Sequence, residues 1–453
     1  MYCLKNKYLK LIFGGAICGL CFAPTFLFFL FIFSFDILLE SLYGEYKNDR
    51  GIFLIGFLWG YGYFLGNFYW IINPLLFNFP KYAIFIPFAL IFAFSFWGCY
   101  IGLLFLILYK FKKKFSVENR LILSVFFAVL WIICELCRSY LFFPFPFNLV
   151  AYSLGFSPLL IQSVSLFGSY IFGFFVVLIY CCYFVLKKQR TAVNVVIYIF
   201  LCLFVVTFGV IKSFEEKRYS DKLGVNVRLL QLNFDEKTKN NPKKMDFVMN
   251  EIIENLDARS VNVISESGIP FIVDISVDNY YPFSEDKTII TGAITVKNRR
   301  VHNSILIFEN GHIIDYYDKR RLVPFGEYLP LRKFLPSAVK NFVGIDFSIG
   351  KNKKDFAFVS KIGKISPLVC YEALFAESVN KDANVIVNLT NDIWLGGTGG
   401  AYQHFIALKF RAIENKIPVI RVSNNGISGY INEYGRVIQK TKLNTKAILD
   451  LKI

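Results

Sequence analysis

Long apolar stretches dominate the first 212 residues and most constrain how this 453-residue chain can fold. A helix needs about 20 mostly apolar residues to cross roughly 30 Å of hydrocarbon. Seven stretches near that length are predicted to span a membrane: 9–23, 25–41, 52–72, 83–109, 121–143, 158–186 and 193–212. Charged residues are sparse here and ordinary in frequency afterwards. The sequence therefore predicts a multi-span α-helical membrane domain, residues 1–212, followed by a domain outside the bilayer, residues 213–453.

The positions of the basic residues predict the orientation of these spans. Lysines and arginines precede the first span and follow the second, fourth and sixth: Lys5, Lys7, Lys10, Lys47, Arg50, Lys110, Lys112, Lys113, Lys114, Arg120, Lys187, Lys188 and Arg190. The alternate loops hold little besides Lys81 and Arg138. Because cytoplasmic loops carry the excess of positive charge, the N-terminus is expected in the cytoplasm. An odd number of spans then places residues 213–453 on the outer side.

Two other interpretations of the basic, apolar N-terminal half are weaker. A cleavable signal peptide also begins with basic residues and an apolar run, but no small-residue cleavage site followed by a polar mature start is present. The formal net charge of +17 is explained in large part by loop residues that set topology and attract anionic lipid. The second half contains no basic stripe interleaved with aromatic residues, so nucleic-acid binding is not expected.

The second half alternates strand-like and helix-like patterns. Amphipathic helices are predicted over 241–258 and 402–416. Strands are predicted at 261–265, 288–296, 303–308, 311–317 and 384–390, in a hairpin turning at Ile362–Gly363, and in the segments "PVIRVSN" and "GYINEYGRVIQK". This alternation predicts an α/β domain in which helices cover a sheet.

Three polar residues occur at or just past the C-terminal ends of apolar strands: Glu266, Lys319 and Cys370. Strand ends are where α/β sheets bind ligands. A thiolate is a nucleophile, a carboxylate can take the thiol proton, and a lysine can stabilise an oxyanion. Cys370 is the one cysteine after residue 212, since the other nine lie at or before Cys202. The set is therefore a candidate for nucleophilic catalysis in which the sulfur acts as a thiolate.

The residues alone leave alternatives open. A Cys–His pair is the natural competitor, but His302, His312 and His404 do not occupy comparable strand ends. The plain alternative is a set of surface charges and one buried thiol. No matched Cys-x-x-Cys pairs with zinc spacing occur, so no metal is expected.

The sequence motifs around the three residues favour the set of Glu266, Lys319 and Cys370 over these alternatives. "ISESGIP", "YYDKRRLVPFGEYLP" and "VCYE" resemble the nitrilase, or carbon–nitrogen hydrolase, superfamily, whose members use a Glu-Lys-Cys triad. "LVPFGEYLP" behind a multi-span region is similar, more narrowly, to the bacterial apolipoprotein N-acyltransferase family, as are residues 135–154 and 388–428. The resemblance implies a nitrilase-like α-β-β-α sandwich after the membrane domain.

The resemblance also implies roles for single residues. Cys370 would be the nucleophile, Glu266 the general base and Lys319 the electrostatic stabiliser. Other matching positions are expected to support the site or bind substrate: Glu327, Tyr371, Glu372, Asn303 and Trp394. Tyr371 would also lend its backbone N–H to the oxyanion. The alternatives are a loop-tip charge for Glu327, packing for Tyr371 and a structural role for Asn303 and Trp394.

Three departures from the family pattern stand out. The family usually has a tryptophan after a lysine where this chain has Lys239–Asn240, so one substrate-contacting aromatic residue is in doubt. "WLG" replaces the usual Trp-Phe-Gly. Family members usually end with another membrane span, whereas this sequence stops at "AILDLKI". A catalytic domain tethered at one end only is therefore expected.

The implied reaction is a two-step acyl transfer. Cys370 attacks an acyl ester of a membrane phospholipid, giving a thioester and a lysophospholipid. The α-amine of a diacylglyceryl-cysteine at the N-terminus of an apolipoprotein then takes the acyl group. The resemblance implies a monomer in the bacterial inner membrane, with its catalytic domain on the periplasmic side and with no cofactor.

Two further points stay open at this stage. Glu135 and Arg138 lie three residues apart near a predicted span end, where charges suggest function, although a structural ion pair is the simpler interpretation. Two other protein classes also fit the sequence. One is a membrane-tethered carbon–nitrogen hydrolase in which water resolves the thioester, and the other is a non-catalytic membrane protein with a decayed domain.

Overall fold

The computed structural model describes residues 2–44, 48–77, 80, 83–218, 224–239, 241–334, 337–340, 346–351 and 355–453. The chain divides into two compact units. The first comprises Met1–Glu215 and Trp394–Ile406, and the second comprises Glu216–Ile393 and Ala407–Ile453.

Helices that begin in the first 215 residues make up most of the first unit. They are α1 (Tyr2–Ala16), α2 (Leu30–Glu40), α3 (Asp49–Phe68), α4 (Asn73–Phe77), α5 (Ile86–Lys114), α6 (Arg120–Tyr140), α7 (Val164–Tyr180), α8 (Cys182–Leu186) and α9 (Ala192–Arg218). Among the described residues, five stretches are long and apolar enough to cross a membrane: Asp49–Leu76, Ala83–Lys114, Arg120–Tyr140, Val164–Leu186 and Ala192–Glu216. These correspond to the last five predicted spans. The first two predicted spans contain the shorter helices α1 and α2. Their crossing of the bilayer stays a prediction.

Glycines allow α1, α3 and α5 to pack with their backbones in close contact. A Cβ added at Gly62 of α3 would lie 2.0 Å from the carbonyl oxygen of Ile12 in α1. A Cβ added at Gly56 of α3 would lie 2.7 Å from the carbonyl oxygen of Ile101 in α5. Small residues at such contacts are typical of helices that associate within lipid, where tight packing replaces the hydrophobic effect as the driving force.

The two charged residues near the end of α6 bind the segment that follows the helix. Glu135 Oε1 accepts hydrogen bonds from the Val150 N–H at 2.7 Å and from Trp131 Nε1 at 3.2 Å. Arg138 donates to the carbonyl oxygens of Phe145 and Phe147. The pair therefore satisfies backbone groups of an irregular segment, which is a structural role of a different kind from the ion pair considered above.

The segment Trp394–Ile406 belongs to the first unit through side-chain hydrogen bonds to the helices. Trp70 Nε1 donates to Gln403 Oε1 at 2.9 Å, and Asn73 Nδ2 donates to the Leu395 carbonyl oxygen at 2.8 Å. Trp394, one of the candidate site residues, begins this segment and is 42% exposed.

The second unit contains thirteen strands in its described residues, arranged in two sheets. The strands are β1 (Asn226–Gln231), β2 (Val261–Ile264), β3 (Val273–Asp274), β4 (Thr288–Lys297), β5 (Arg300–Glu309), β6 (His312–Asp318), β7 (Ala357–Val359), β8 (Gly363–Val369), β9 (Val385–Thr390), β10 (Val419–Ser423), β11 (Gly429–Ile431), β12 (Val437–Lys440) and β13 (Ala447–Lys452). The first sheet has the order β13-β1-β2-β4-β5-β6, with β3 beside β4, and the second has the order β12-β11-β10-β9-β8-β7.

The two sheets pack face to face around one apolar core. Val263 and Ile305 of the first sheet share this core with Ile365, Val387 and Ile420 of the second. The remaining α-helices in the described part of the chain are α10 (Glu236–Lys239), α11 (Met245–Glu254), α12 (Ser337–Lys340) and α13 (Gly399–Asn415). Helix α11 covers the other face of the first sheet, and the second half of α13 packs at the β11–β12 turn. The expected α-β-β-α sandwich is thereby confirmed.

Helices and strands around the expected site mostly follow the predicted pattern. The predicted hairpin exists, with β7 and β8 antiparallel, and α13 lies within three residues of its predicted bounds at both ends. Strands β1 and β13 were not predicted, and they pair antiparallel at the edge of the first sheet. Helix α11 begins at Met245, later than predicted, because Pro242–Lys244 forms a 3₁₀ turn first.

Gly292 in β4 fixes the position of the chain around Glu266. A Cβ at position 292 would lie 2.5 Å from Glu266 Cα, so this strand can pass behind Glu266 only as glycine. The Gly292 N–H donates to the Ser265 carbonyl oxygen at 3.1 Å, and its own carbonyl accepts from the Gly268 N–H at 2.7 Å. The backbone around Glu266 is therefore held in place by its hydrogen bonds to Gly292 of β4.

Candidate active site

The structure brings the three predicted catalytic residues together at strand ends. Glu266 follows β2, Lys319 directly follows β6, and Cys370 directly follows β8. Lys319 Nζ lies 3.7 Å from Glu266 Oε1, and the Cys370 thiol interacts electrostatically with both charges. Glu266 and Lys319 are buried, whereas Cys370 retains some exposed surface. The arrangement offers a thiol, a carboxylate and an ammonium to one reacting group.

Cys370 sits on a sharp turn between β8 and the 3₁₀ turn Cys370–Leu374. Its φ of 49° lies in the left-handed region, which non-glycine residues adopt at a cost of roughly 1–3 kcal/mol and which is common at active sites. The Thr390 side chain hydrogen-bonds the thiol, and Asn388 Nδ2 donates to the Cys370 carbonyl oxygen at 3.4 Å. These contacts hold the strained turn and orient the sulfur.

Thr390 is a site residue that was not predicted from the sequence. Strands β8 and β9 are parallel, with Val369 opposite Leu389, so Cys370 and Thr390 follow at the same sheet edge. The Thr390 hydroxyl donates in turn to Asp392 Oδ1 at 3.1 Å. The sequence does show a threonine at the end of the strand predicted at 384–390. Its position next to Cys370 follows only from the pairing of this strand with β8.

Asn303 and Glu327 connect the lysine to the general base. Glu327 Oε1 accepts from Lys319 Nζ at 2.8 Å, so the lysine is bound more closely to Glu327 than to Glu266. Asn303 Nδ2 donates to Glu266 Oε1 at 2.8 Å and to Glu327 Oε1 at 2.9 Å. The second oxygen of Glu327 accepts from the Val323 N–H at 2.8 Å. Both residues, predicted from the family resemblance, thus contact the candidate triad directly.

Both oxygens of the Glu266 carboxylate are hydrogen-bonded. In addition to the Asn303 contact at Oε1, Oε2 accepts from the Asn391 backbone N–H at 2.8 Å. A carboxylate held by two donors keeps a fixed direction, which a general base requires. Asn391, like Thr390, was not predicted as a site residue.

Glu372 ties the lysine segment to the nucleophile turn. Its side chain is fully buried, and Oε2 accepts from the Val369 N–H at 2.8 Å. The other oxygen, Oε1, accepts from the N–H groups of Arg320 and Arg321 at 2.8 and 3.1 Å, and from the Tyr317 hydroxyl at 3.1 Å. One carboxylate therefore fixes the residues that flank Lys319 and Cys370.

The remaining candidates differ in what the structure shows of them. Tyr371 is buried, and its ring lies 5.0 Å from that of Phe375 in an edge-on contact, as packing requires. Trp394 lies in the first unit, and its role in the reaction stays a prediction. Asn240, the departure from the family pattern, lies outside the described residues.

The histidines bind partners elsewhere. His302 Nδ1 lies 3.0 Å from the Ser348 carbonyl oxygen, and His312 Nδ1 lies 3.4 Å from an Asp278 oxygen. The His404 ring lies 5.9 Å from the Phe147 ring, tilted by 56° to it, within the first unit. Within the described parts of the chain, no three His, Cys, Asp or Glu side chains are arranged to hold a metal ion. The geometry favours Glu266 over a histidine as the partner of the thiol.

Burial and charge set the protonation states of the three residues. Burial raises the pKa of the Cys370 thiol, and the charge of Glu266 adds to this while Lys319 opposes it. Burial raises the pKa of Glu266 against the charge of Lys319. Burial alone would lower the pKa of Lys319, but the charges of Glu327 and Glu266 outweigh it and raise that pKa.

Burial thus favours the neutral thiol in the resting site, while the Lys319 ammonium favours the thiolate. The expected thiolate stays a prediction, and the raised pKa favours loss of the thiol proton to Glu266 during the attack over a thiolate formed beforehand. Burial also raises the pKa of Glu266, which makes this carboxylate a stronger base than an ordinary glutamate.

Comparison with known proteins identifies relatives of both halves of the chain. The family model of the apolipoprotein N-acyltransferase N-terminal domain matches residues 14–182, and that of carbon–nitrogen hydrolase matches residues 284–453. The apolipoprotein N-acyltransferase of Rickettsia typhi is 32% identical over 453 residues, covering 95% of this chain and 88% of that protein. That of Rickettsia prowazekii is 31% identical, covering 97% and 90%, and that of Allorhizobium ampelinum is 29% identical, covering 98% and 89%.

A solved structure also matches part of the chain. It is a carbon–nitrogen hydrolase superfamily protein from Xanthomonas campestris, with a TM-score of 0.39 and 17% sequence identity. The match covers 50% of this chain and 89% of that chain.

Replacing Glu372 by glutamine tests its role as the tie between the two segments. In glutamine an NH₂ group replaces one of the two carboxylate oxygens. The donors that bind this oxygen then lose their acceptor and stay buried and unpaired, at a cost of about 1–3 kcal/mol. We expect Glu372→Gln to lower acyl-transfer activity at least about tenfold and to lower the melting temperature by several degrees. Activity assays and thermal unfolding of the detergent-solubilised enzyme measure both effects.

Tyr317→Phe is the matched control for this variant, because it removes one neutral donor and leaves the Glu372 carboxylate with its three backbone donors. A Glu372→Gln enzyme as active and stable as the Tyr317→Phe enzyme would contradict the assigned role.

Proposed function

Because this chain belongs to the apolipoprotein N-acyltransferase family, we propose that it acylates lipoproteins through a thioester on Cys370. The acyl donor is a membrane phospholipid, and the acceptor is the N-terminal amine of a diacylglyceryl-cysteine. The observation that carries the proposal is the position of Lys319, which lies 2.8 Å from Glu327 and 3.7 Å from Glu266, beside the Cys370 thiol.

In the first half of the reaction the sulfur of Cys370 attacks the ester carbonyl carbon of the phospholipid. Glu266 takes the thiol proton as the S–C bond forms. Lys319 Nζ and the Tyr371 backbone N–H stabilise the oxyanion of the tetrahedral intermediate. The intermediate collapses by breaking the C–O bond of the ester. The leaving lysophospholipid alkoxide takes the proton from Glu266, and a thioester remains on Cys370.

In the second half the lipoprotein amine attacks the thioester carbonyl. Glu266 accepts a proton from the attacking nitrogen, the C–S bond breaks, and Glu266 gives this proton to the leaving sulfur. The products are an amide on the lipoprotein and the original thiol. Glu266 thus carries one proton in each half, which suits a carboxyl whose pKa is raised by burial.

Glu327 supports this division of work between two carboxylates. It offsets the charge of Lys319 at 2.8 Å, so Glu266 does not have to neutralise the lysine alone and can exchange a proton. Asn303 donates to both carboxylates and fixes their orientation relative to each other. The lysine is then the fixed positive charge toward which the oxyanion develops.

The membrane location follows from the chemistry of both substrates. Each is held in the bilayer by acyl chains, at about 0.8 kcal/mol for every buried CH₂, so a freely soluble enzyme would have to extract them. We propose that residues 1–212 form the membrane domain, in seven spans, in the inner membrane of the bacterium. Residues 213–453 form the catalytic domain at the periplasmic surface, and the enzyme acts as a monomer.

Removal of the sulfur tests the assigned nucleophile. We expect Cys370→Ala to abolish acylation of a diacylated lipopeptide, because no other group can carry the acyl chain in the proposed route. Mass spectrometry of the peptide after incubation with phospholipid detects one added acyl chain. The control is Cys202→Ala, which removes an exposed cysteine of α9 and should leave the product yield unchanged.

Persistence of the acylated peptide with Cys370→Ala would refute the assignment. Release of free fatty acid by the unaltered enzyme, with the peptide amine unmodified, would instead favour the hydrolase in which water resolves the thioester.

Lys319→Met tests the oxyanion role. Loss of one oxyanion donor costs on the order of 100-fold in turnover, and we expect at least this loss in the rate of lipopeptide acylation. Lys361→Met, which removes an exposed lysine of the β7–β8 turn, serves as the control and should retain the unaltered rate. A near-normal rate with Lys319→Met would mean that this lysine has another role.

A further inference from the structure

Two buried charged residues next to Glu266 have no part in the proposed reaction. Glu236 and Lys239 belong to the short helix α10, and their relative exposures are only 8% and 7%. Lys239 Nζ donates to the backbone carbonyl oxygen of Glu266 at 3.0 Å. Glu236 Oε1 accepts from Asn391 Nδ2 at 2.6 Å. Since the Asn391 N–H itself donates to Glu266 Oε2, the two residues reach Glu266 by separate routes.

The segment that carries these residues is fixed in place by Asn424, after β10. The Asn233 N–H donates to the Asn424 carbonyl oxygen at 2.9 Å, in a turn where Asn233 has a φ of 55°. The Phe234 N–H donates to Asn424 Oδ1 at 3.0 Å, and Asn424 Nδ2 donates back to the Phe234 carbonyl at 2.8 Å. Helix α10 therefore has a defined position relative to Glu266.

A buried ammonium is costly unless a nearby charge offsets it. Burial lowers the pKa of Lys239, and the charges of Glu236 and Glu266 oppose this. A neutral side chain such as glutamine can also donate to a backbone carbonyl. A lysine at this position therefore indicates that its charge matters and not only its hydrogen bond.

We infer that Lys239 and Glu236 are positioning residues of the acyl-transfer site. Lys239 is a second buried cation that keeps Glu266 ionised and holds its backbone, and Glu236 directs the Glu266 carboxylate through Asn391. The inference rests on the proposed role of Glu266 as the general base. The charged and titratable groups that face Glu266 are Lys319, Glu327, Lys239 and Cys370, and the charge of Glu236 faces Lys239.

The inference predicts opposite shifts for two substitutions. Glu266 accepts a proton only as a carboxylate, so activity falls as the pH falls through the pKa of Glu266. Without the positive charge of Lys239 this carboxylate binds a proton more readily, so Lys239→Met moves the acid limb of the kcat/KM profile upward by about one pH unit. Glu236→Gln removes a negative charge beside Lys239 and moves the same limb downward by less.

The experiment uses the full-length enzyme in detergent micelles, with one defined phospholipid as donor and a diacylated lipopeptide as acceptor. The value of kcat/KM for the phospholipid is measured across the acid limb, because it reports thioester formation. Lys239→Arg keeps the positive charge and should keep the limb near its original pH. Lys244→Met is the matched control, since Lys244 is exposed and donates to the Thr238 hydroxyl of the same segment.

An acid limb that moves with Lys239→Met and not with Lys244→Met supports the inference. A limb that stays in place while the rates fall, or that moves equally in both variants, overturns it. If Lys239→Met does not fold, the downward shift with Glu236→Gln decides in the same way. Substantial activity of Glu266→Gln would instead refute the general-base assignment. An inactive Glu266→Gln enzyme with an unmoved limb in Lys239→Met would refute only the positioning role.

Discussion

The buried contact between Lys319 and two carboxylates is the interaction on which the rest of the site depends. An ammonium that is 1% exposed is stable only when opposite charges and hydrogen bonds replace its lost water. Glu327 and Glu266 supply the charges, and Asn303 donates to both of them. The same cluster provides acyl transfer with a fixed cation for the oxyanion and a base of raised pKa for the thiol.

The two-sheet architecture makes this cluster possible, because each sheet contributes part of it. Glu266 and Lys319 follow β2 and β6 of the first sheet, and Cys370 follows β8 of the second. The shared apolar core holds the strand ends in register, and Glu372 joins the residues around Lys319 to the turn of Cys370. The two sheets and the Glu372 contacts together position Glu266, Lys319 and Cys370.

The sequence predicted those parts of the fold and site that depend on local pattern. The length of the apolar stretches predicted the five long helices. The ends of the predicted strands, together with the motifs shared with the family, identified Glu266, Lys319 and Cys370. Contacts that join distant segments could not be read in this way. Thr390 became visible only through the pairing of β9 with β8, Asn391 only through its hydrogen bond to Glu266, and β13 only through its partner β1. The protonation of Cys370 likewise depends on burial, which no local pattern reports.

The central claim is that the sulfur of Cys370 carries an acyl chain between the two substrates. The most direct measurement is the intact mass of the full-length enzyme after incubation with one defined phospholipid and no acceptor. The account predicts a mass increase of one acyl chain, located on the peptide containing Cys370 and removed by neutral hydroxylamine. An unmodified enzyme that nevertheless acylates the lipopeptide at its normal rate, or an adduct on another residue, would contradict it.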